Sequence, residues 1–287
     1  SVGIGLLREN ILSVLLGIYW SIIPIIMWYL SKEIKTEKAI EKLNQEEKNY
    51  LLEIGKRTWK FFETYLTEEN NYLIPDNYQE DRKEKIVPRT SSTNIGLSLL
   101  AVISAYDLKY ISLEKTYRLL ENIINTIDSL EKWNGHLYNW YNIKIKQPLN
   151  PRYVSTVDSG NLIGYLYVTK TFLEVYKNCS KEETSSLIDI VDKIIQNTDF
   201  SLLYNQLTDS YYDLLASEAR QASLVAIAKK DVPSRHWNHL SRTLTTLGKY
   251  KGLVSWSGTA FEYLMPNINI PKYKGSLLEE SCQFLIK

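Results

Sequence analysis

Residues 112–141, "SLEKTYRLLENIINTIDSLEKWNGHLYNWY", decide the fold class. Their first part repeats apolar side chains at Leu113, Tyr117, Leu120, Ile124, Ile127 and Leu130, the three- and four-residue spacing that lines one face of a helix. Ser112 stands where a helix N-cap is expected. The last part changes character, with His136, Tyr138, Asn139, Trp140 and Tyr141 crowded behind Gly135. A long helix followed by a loop rich in aromatic and polar groups is not the plan of a four-helix bundle, whose connections are short and plain. It fits paired helices that carry chemistry in the loops between them.

The same alternation spreads both ways along the chain. Apolar spacing predicts a helix through Leu51, Ile54, Trp59 and Phe62, and another over 95–106 capped by Thr93 or Asn94. Further helices are predicted over 160–176, 181–197, 213–229, 234–247 and 277–286. No alternating run with turn chemistry is strong enough to predict a sheet. The class is therefore all-α, with a helical toroid favoured. Four more loops join the first: "PDNYQED" (75–81), "PRTSSTNIG" (88–96, with Arg89), "YVSTVDSGN" (153–161) and "SWSGTAFEYLMP" (255–266). Sugars present hydroxyls beside flat apolar faces, so their sites need aromatic platforms next to acids, amides and arginine. Any one such loop serves equally to plug helix ends; five in one helical chain point to a glycan cleft.

Composition narrows the field. The 287 residues are 44% hydrophobic and 23% charged, enough for a packed core. A net charge of +1 gives no bulk attraction to nucleic acid. Cys179 and Cys282 define no disulfide framework and fit a reduced compartment. Three histidines without ligand spacing give no metal site, and no cofactor is implied: phosphate-binding glycine loops and the G-x-S-x-G elbow are both missing from the sequence.

Residues 10–31 hold no charged side chain, a run long enough to cross a bilayer core of about 30 Å, with Trp20, Trp28 and Tyr29 of interfacial type. A transmembrane helix is expected there, its alternative being a buried apolar helix. Lys32, Lys35 and Lys38 follow closely, so the positive-inside rule places the remainder in the cytoplasm. Residues 32–48 read as a charged helical connector and 49–287 as the globular domain.

"SYYDLLASEAR" (210–220) holds the candidate acid. Read as a helix, it sets Glu218 among Leu214, Leu215, Ala222 and Val225, where an ionised carboxylate must be paired, hydrogen-bonded or open to a polar cavity. A buried salt bridge and a catalytic acid both satisfy that condition. Asp158 is read as an N-cap for the helix starting near Gly160, Glu262 as an exposed helix residue, and His136 as a core or sugar-contacting side chain.

Four long blocks in order, "RTSSTNIGLSLLAVISAYDL", "GHLYNWYNIKIKQPLNPRYVSTVDSGNL", "YYDLLASEARQASLVAIAKKDVPSRHW" and "LVSWSGTAFEYLMP", resemble the glycoamylase-like middle domain of bacterial cyclic β-1,2-glucan synthases. The resemblance runs from about Leu51 onward, and the apolar segment before it is similar to the last membrane helix preceding that domain. It implies an (α/α)6 toroid, incomplete in this chain, and a bacterial inner-membrane location. It also implies retaining transglycosylation, which cuts a linear β-1,2-glucan and closes it into a ring; related toroids hydrolyse the same polymer. Glu218 inherits the role of one of two catalytic carboxylates, and the chain is expected to be truncated before the second, since no "WGISES"-type motif occurs in it. Asp158, Arg220, His136, Tyr138, Asn139, Trp140, Tyr153, Asn161, Trp256, Glu262 and Arg89 are the expected substrate-binding residues. Two departures stand out: Ser92 replaces a proline usual in the first block, and only "NQLTD" separates "LLY" from "SYYDLL", where the family carries a longer segment. The alternatives are a β-1,2-glucan hydrolase and a membrane-anchored glycan-binding piece without catalysis. The expected partners are the glucan, the membrane and the rest of a larger synthase chain, with no nucleic acid.

Overall fold

The computed structural model describes residues 11–30, 42–176, 181–208, 214–248 and 250–287. The remainder of the charged connector, residues 32–41, and Cys179 lie outside the described residues. Contacts divide the chain into 1–49 and 50–287.

In the first unit, helix α1 spans Ile11–Leu30 with Pro24 inside it. Its stretch Ile11–Tyr29, of mean hydropathy 2.1, is long and apolar enough to cross a membrane, and almost none of it is buried. Helix α2, Gln45–Tyr65, lies mostly in the second unit and opens with a reciprocal cap. Asn44 Oδ1 accepts from Glu47 N at 2.9 Å while Glu47 Oε2 accepts from Asn44 N at 2.8 Å, so two otherwise orphaned donors are satisfied at once.

The second unit is built on helices α3 (Ser92–Asp107), α4 (Leu113–Ser129), α5 (Thr156–Tyr176), α6 (Lys181–Asn197) and α7 (Arg220–Ala228). The N-cap of α3 is Ser91, whose hydroxyl accepts from Asn94 N, and not Thr93 or Asn94. Ser112 caps α4 as its sequence requires. Helices α3, α5 and α7 lie side by side, with α4 and α6 packed on α3 and α5. Ile95, Leu99, Leu120, Ile123, Ile124, Ile127, Leu166 and Leu173 fill the seam. Two glycines let these helices approach: a Cβ on Gly160 of α5 would lie 2.3 Å from Ala222 Cα on α7, and one on Gly96 of α3 would lie 2.5 Å from the Tyr165 ring.

Two helical expectations fail in the C-terminal part. The predicted helix 234–247 is a single turn, α8 (His236–His239), followed by a hairpin of β6 (Leu244–Leu247) and β7 (Tyr250–Leu253). The described part of predicted helix 213–229 is α-helical only from Arg220; Leu214 forms an isolated bridge to Ser241 and residues 215–219 form turns. The short α9 (Ala260–Leu264) and the final α10 (Leu277–Ile286) complete the chain. Small sheets, unexpected from sequence, furnish the loops. Strands β1 (Arg89–Thr90), β4 (Asn139–Asn142) and β5 (Pro148–Tyr153) form one antiparallel sheet, and β2 (Lys132–Trp133) with β3 (His136–Leu137) another.

Candidate active site

The parallel packing of α3, α5 and α7 brings their N-terminal ends together, and the carboxylates collect there. Thr93, in the first turn of α3, donates its N–H to Asp158 Oδ1 at 3.4 Å and accepts from Asn161 Nδ2 at 3.0 Å through its hydroxyl. Gln221 of α7 reaches the Asn161 carbonyl at 3.4 Å. Asp158 is not the N-cap of α5: Ser155 is, its Oγ accepting from Asp158 N at 3.2 Å. This leaves the Asp158 carboxylate free to point across to α3 and to take Asn139 Nδ2 at 3.0 Å from β4.

Glu218 sits in the turn just before α7 rather than on it. The turn has a local cause and a tertiary one. Ser217 Oγ accepts from Ala219 N at 3.2 Å, one of the side-chain bonds by which serine competes with helix formation. Arg220, fully buried, then folds back on the turn. It donates to the carbonyls of Ala216 (3.1 Å), Ser217 (2.9 Å) and Glu262 (3.1 Å) through Nη1 and of Tyr263 (2.7 Å) through Nη2. Arg220 is thus a clamp between the Glu218 turn and α9. With its donors bonded to backbone and the side chain out of solvent, it is not a sugar contact.

The electrostatics single out one acid. Burial pushes the Glu218 carboxyl up to about 7, helped by the negative charges of Asp158 and Glu262 and opposed only weakly by Arg220. Its Oε2 is buried without a hydrogen-bond partner. Glu262 goes the other way. Burial works to raise it, yet hydrogen bonds from Ser255 and Ser257 win and hold it below the usual carboxylate range. Ser257 N lies 3.0 Å from its Oε1, and Ser257 Oγ bonds the same oxygen. Glu262 is therefore a buried brace for the loop that carries Trp256, not an exposed helix residue. Tyr165 is pushed above its ordinary range by burial and by Glu218.

The remaining expected residues fall into two groups. Tyr138 and Trp140 are half-buried, with Arg152 and Arg89 respectively over their rings at 5.8 and 4.3 Å. Tyr153 and Trp256 are 45% and 64% exposed, available as apolar platforms. His136 and Asn161 are 1% exposed. His136 Nε2 bonds the Asp199 carbonyl at 2.9 Å and the ring packs edge-on against Phe200, so it belongs to the core; burial holds its pKa down. Asn161 braces Thr93 from behind. Sequence reasoning named Thr93 only as a possible cap and did not single out Gln221, Ser257 or Asp76, although Thr93, Ser257 and Asp76 all stand inside loops it had marked. Among the described residues, no three His, Cys, Asp or Glu side chains gather as a metal site requires. A shallow recess of about 550 Å³, lined by Tyr106, Tyr110 and Tyr176, lies at the opposite ends of α3 and α5 from these carboxylates.

Several solved structures share this fold. An endo-β-1,2-glucanase from Chitinophaga pinensis, in complex with sophorotriose and glucose, matches 83% of this chain and 65% of its own, at TM-score 0.67 and 13% identity. A glucoamylase-like protein from Bacteroides caccae matches the same shares at TM-score 0.65 and 15% identity. The fold is that of a glucoamylase-like α/α toroid. An endo-β-1,2-glucanase from Talaromyces funiculosus bound to sophorose matches 85% of this chain and 62% of its own, at TM-score 0.59 and 12% identity. In sequence, the chain is 28% identical to the cyclic β-(1,2)-glucan synthase NdvB of Rhizobium meliloti, over 94% of the chain and 14% of that protein. The resemblance read from the four blocks therefore stands, and the chain spans about a seventh of that relative. The match runs over 407 residues against the chain's 287, so long stretches of the relative have no counterpart here. No protein-family model matches the chain.

Proposed function

We propose that this toroid belongs to an enzyme that acts on linear β-1,2-glucan, with Glu218 as its general acid/base. The observation that carries the reading is Glu218 itself: a carboxyl held near pH 7, with one oxygen unpartnered, at the end where three helices meet. An acid poised near the working pH both holds a proton and releases it readily. In a retaining reaction Glu218 gives its proton to the glycosidic oxygen as the bond to the anomeric carbon breaks, while a second carboxylate takes that carbon. Asp158 and Glu262 are committed to hydrogen bonds, and no "WGISES"-type motif occurs in these 287 residues. As the family resemblance implies, we propose that another part of the parent protein supplies the nucleophile. Glu218 then takes a proton back from the incoming group. When that group is a hydroxyl of the same glucan, the product is a ring, as the similarity to NdvB supports.

A second reading has its own support. Two of the superposing structures are endo-β-1,2-glucanases, and with water as the incoming group the products are linear. Mass spectrometry of the products formed by the parent protein from linear β-1,2-glucan separates the two. Rings are 18 mass units, one water, lighter than linear chains of equal length, so their appearance establishes transglycosylation, while shortened linear products alone establish hydrolysis. Glu218→Gln should lower either activity by about 10²–10⁴-fold; undiminished turnover would remove Glu218 from the chemistry. We further propose that α1 anchors the protein in the membrane and that the toroid faces the cytoplasm. Protease digestion of spheroplasts, which reaches only the periplasmic face, should leave the toroid intact.

A further inference from the structure

The recess at the C-terminal ends of α3 and α5 takes no part in the chemistry at Glu218. It holds about 550 Å³ and is walled by Tyr106, Tyr110 and Tyr176, each half-buried. These residues are fixed from behind. Tyr106 stands edge-on to Tyr176 with ring centroids 5.5 Å apart, and Tyr110 Oη donates to the Leu52 carbonyl of α2 at 2.6 Å. Tyr117 Oη donates to the Tyr176 carbonyl at 2.8 Å. Aromatic faces that are held in place yet half-open to water suit a ligand with flat apolar faces, because little side-chain freedom is lost on binding. The rim supplies polar groups. Asp107 and Lys109 line the recess and are exposed, and among the described residues neither enters an ion pair. Lys109 also stands where the backbone favours glycine. It ends α3 with φ +61°, Lys109 N donating to the Tyr106 carbonyl and Tyr110 N to the Ala105 carbonyl, both at 2.8 Å. This is the left-handed C-terminal turn that glycine enters without a Cβ penalty. Other residues held in this conformation cluster at functional sites.

Three ring faces, a carboxylate and an ammonium around one recess match the flat faces and hydroxyls of a sugar. We propose that the recess is a second glycan site, which takes a distal stretch of the same β-1,2-glucan whose near stretch lies at Glu218. Its position sets the consequence. Thirteen residues of α3 separate Thr93 from Tyr106, and eighteen of α5 separate Asp158 from Tyr176. At about 1.5 Å per residue the recess lies roughly 20–27 Å from the carboxylates. A glucan of a few units cannot occupy both places. A long flexible one can, and once it is held at one place its arrival at the other is intramolecular. The recess therefore adds affinity for long chains alone and leaves the chemistry at Glu218 unchanged. The proposal rests on the reading of the chain as a β-1,2-glucan enzyme and adds to it a dependence on chain length.

The test measures turnover of two substrates by the parent protein, a linear β-1,2-glucan of a few units and a long one. Lys109→Gly removes the ammonium while relieving the left-handed backbone, so its Tm should equal or exceed that of wild type, and a loss of affinity cannot come from misfolding. Combined with Asp107→Ala, it should raise KM for the long glucan about tenfold, leave kcat within about twofold, and leave KM for the short one unchanged. Tyr176→Leu, which keeps apolar bulk without a ring, should shift KM for the long glucan in the same direction. An unchanged KM for the long glucan, an equal rise for both substrates, or a fall in kcat overturns the second site while leaving the functional reading intact. Failure of the wild-type parent to turn over either β-1,2-glucan overturns both.

Discussion

Glu218→Gln should stabilise the protein while disabling it, and the gain should depend on pH. The ordinary glutamate pKa is 4.5 and burial lifts Glu218 to about 7. A raised carboxyl pKa means that the folded state holds this proton more tightly than the unfolded one. Below pH 4.5 both states are protonated and no penalty exists. Between 4.5 and 7 the unfolded chain loses the proton while the folded one keeps it, so stability falls as pH rises; above 7 the full penalty is present. Each unit is worth about 1.36 kcal/mol, which sets the penalty at about 3 kcal/mol as an upper figure, since the side chain is part-exposed and solvent screens it. Glutamine has the same shape and no charge to desolvate. At roughly 2–4 °C per kcal/mol for a domain of this size, its Tm should exceed wild type by up to about 6–12 °C at pH 8. At pH 4 the two melting curves should coincide. Calorimetry at a series of pH values makes the comparison. A difference that is constant with pH, or a glutamine variant less stable at pH 8, would refute the desolvated-acid account.

Three further outcomes follow from the same geometry. Asp158→Asn removes one of the charges that hold the Glu218 proton in place, so the alkaline limb of the activity profile should move below its position near pH 7; an unmoved limb would mean the two carboxyls do not communicate. Gly160→Ala drives a Cβ to 2.3 Å from the backbone of Ala222 and should cost about 1–3 kcal/mol as α5 and α7 separate, seen as a lower urea midpoint. Arg220→Lys keeps the charge but cannot span four carbonyls, and should cost at least about 3 kcal/mol in the same urea titration.

The sequence made the long helices legible because packing and periodicity agreed in them. Ser112 and the stripe from Leu113 to Leu130 became α4 almost to the residue. It misled where a buried polar side chain overrode the pattern. The spacing of Leu214, Leu215, Ala222 and Val225 suits a helix, yet the demand of a buried guanidinium for carbonyl oxygens leaves residues 216–219 as turns. The hairpin at 244–253 was invisible for a different reason. Leu244 and Leu247 are both exposed, so no burial alternation marks β6 as a strand. The loop residues were found by type but not by task. His136 and Asn161 look like sugar ligands by chemistry, and only three-dimensional burial shows one to be core and the other a brace.

Why Glu218, rather than either neighbouring carboxylate, keeps its proton follows from where each stands relative to a helix. Asp158 is the third residue of α5 and Glu262 the third of α9, the first-turn position at which a carboxylate gains from unpaired N–H groups and the helix dipole. Both carboxylates also take hydrogen bonds, from Thr93 N and Asn139 in one case and from Ser257 in the other. Glu218 lies two residues before α7, outside that first turn, with an oxygen unpartnered. The nearest cation could still have captured it: a guanidinium two residues away is well able to hold a carboxylate ionised. Arg220 does not, because the four carbonyls of Ala216, Ser217, Glu262 and Tyr263 occupy it. The turn that breaks the predicted helix thus removes Glu218 from first-turn N–H groups and gives Arg220 the acceptors that keep it from pairing. Burial is then the largest influence left on the Glu218 proton, and it acts to retain it.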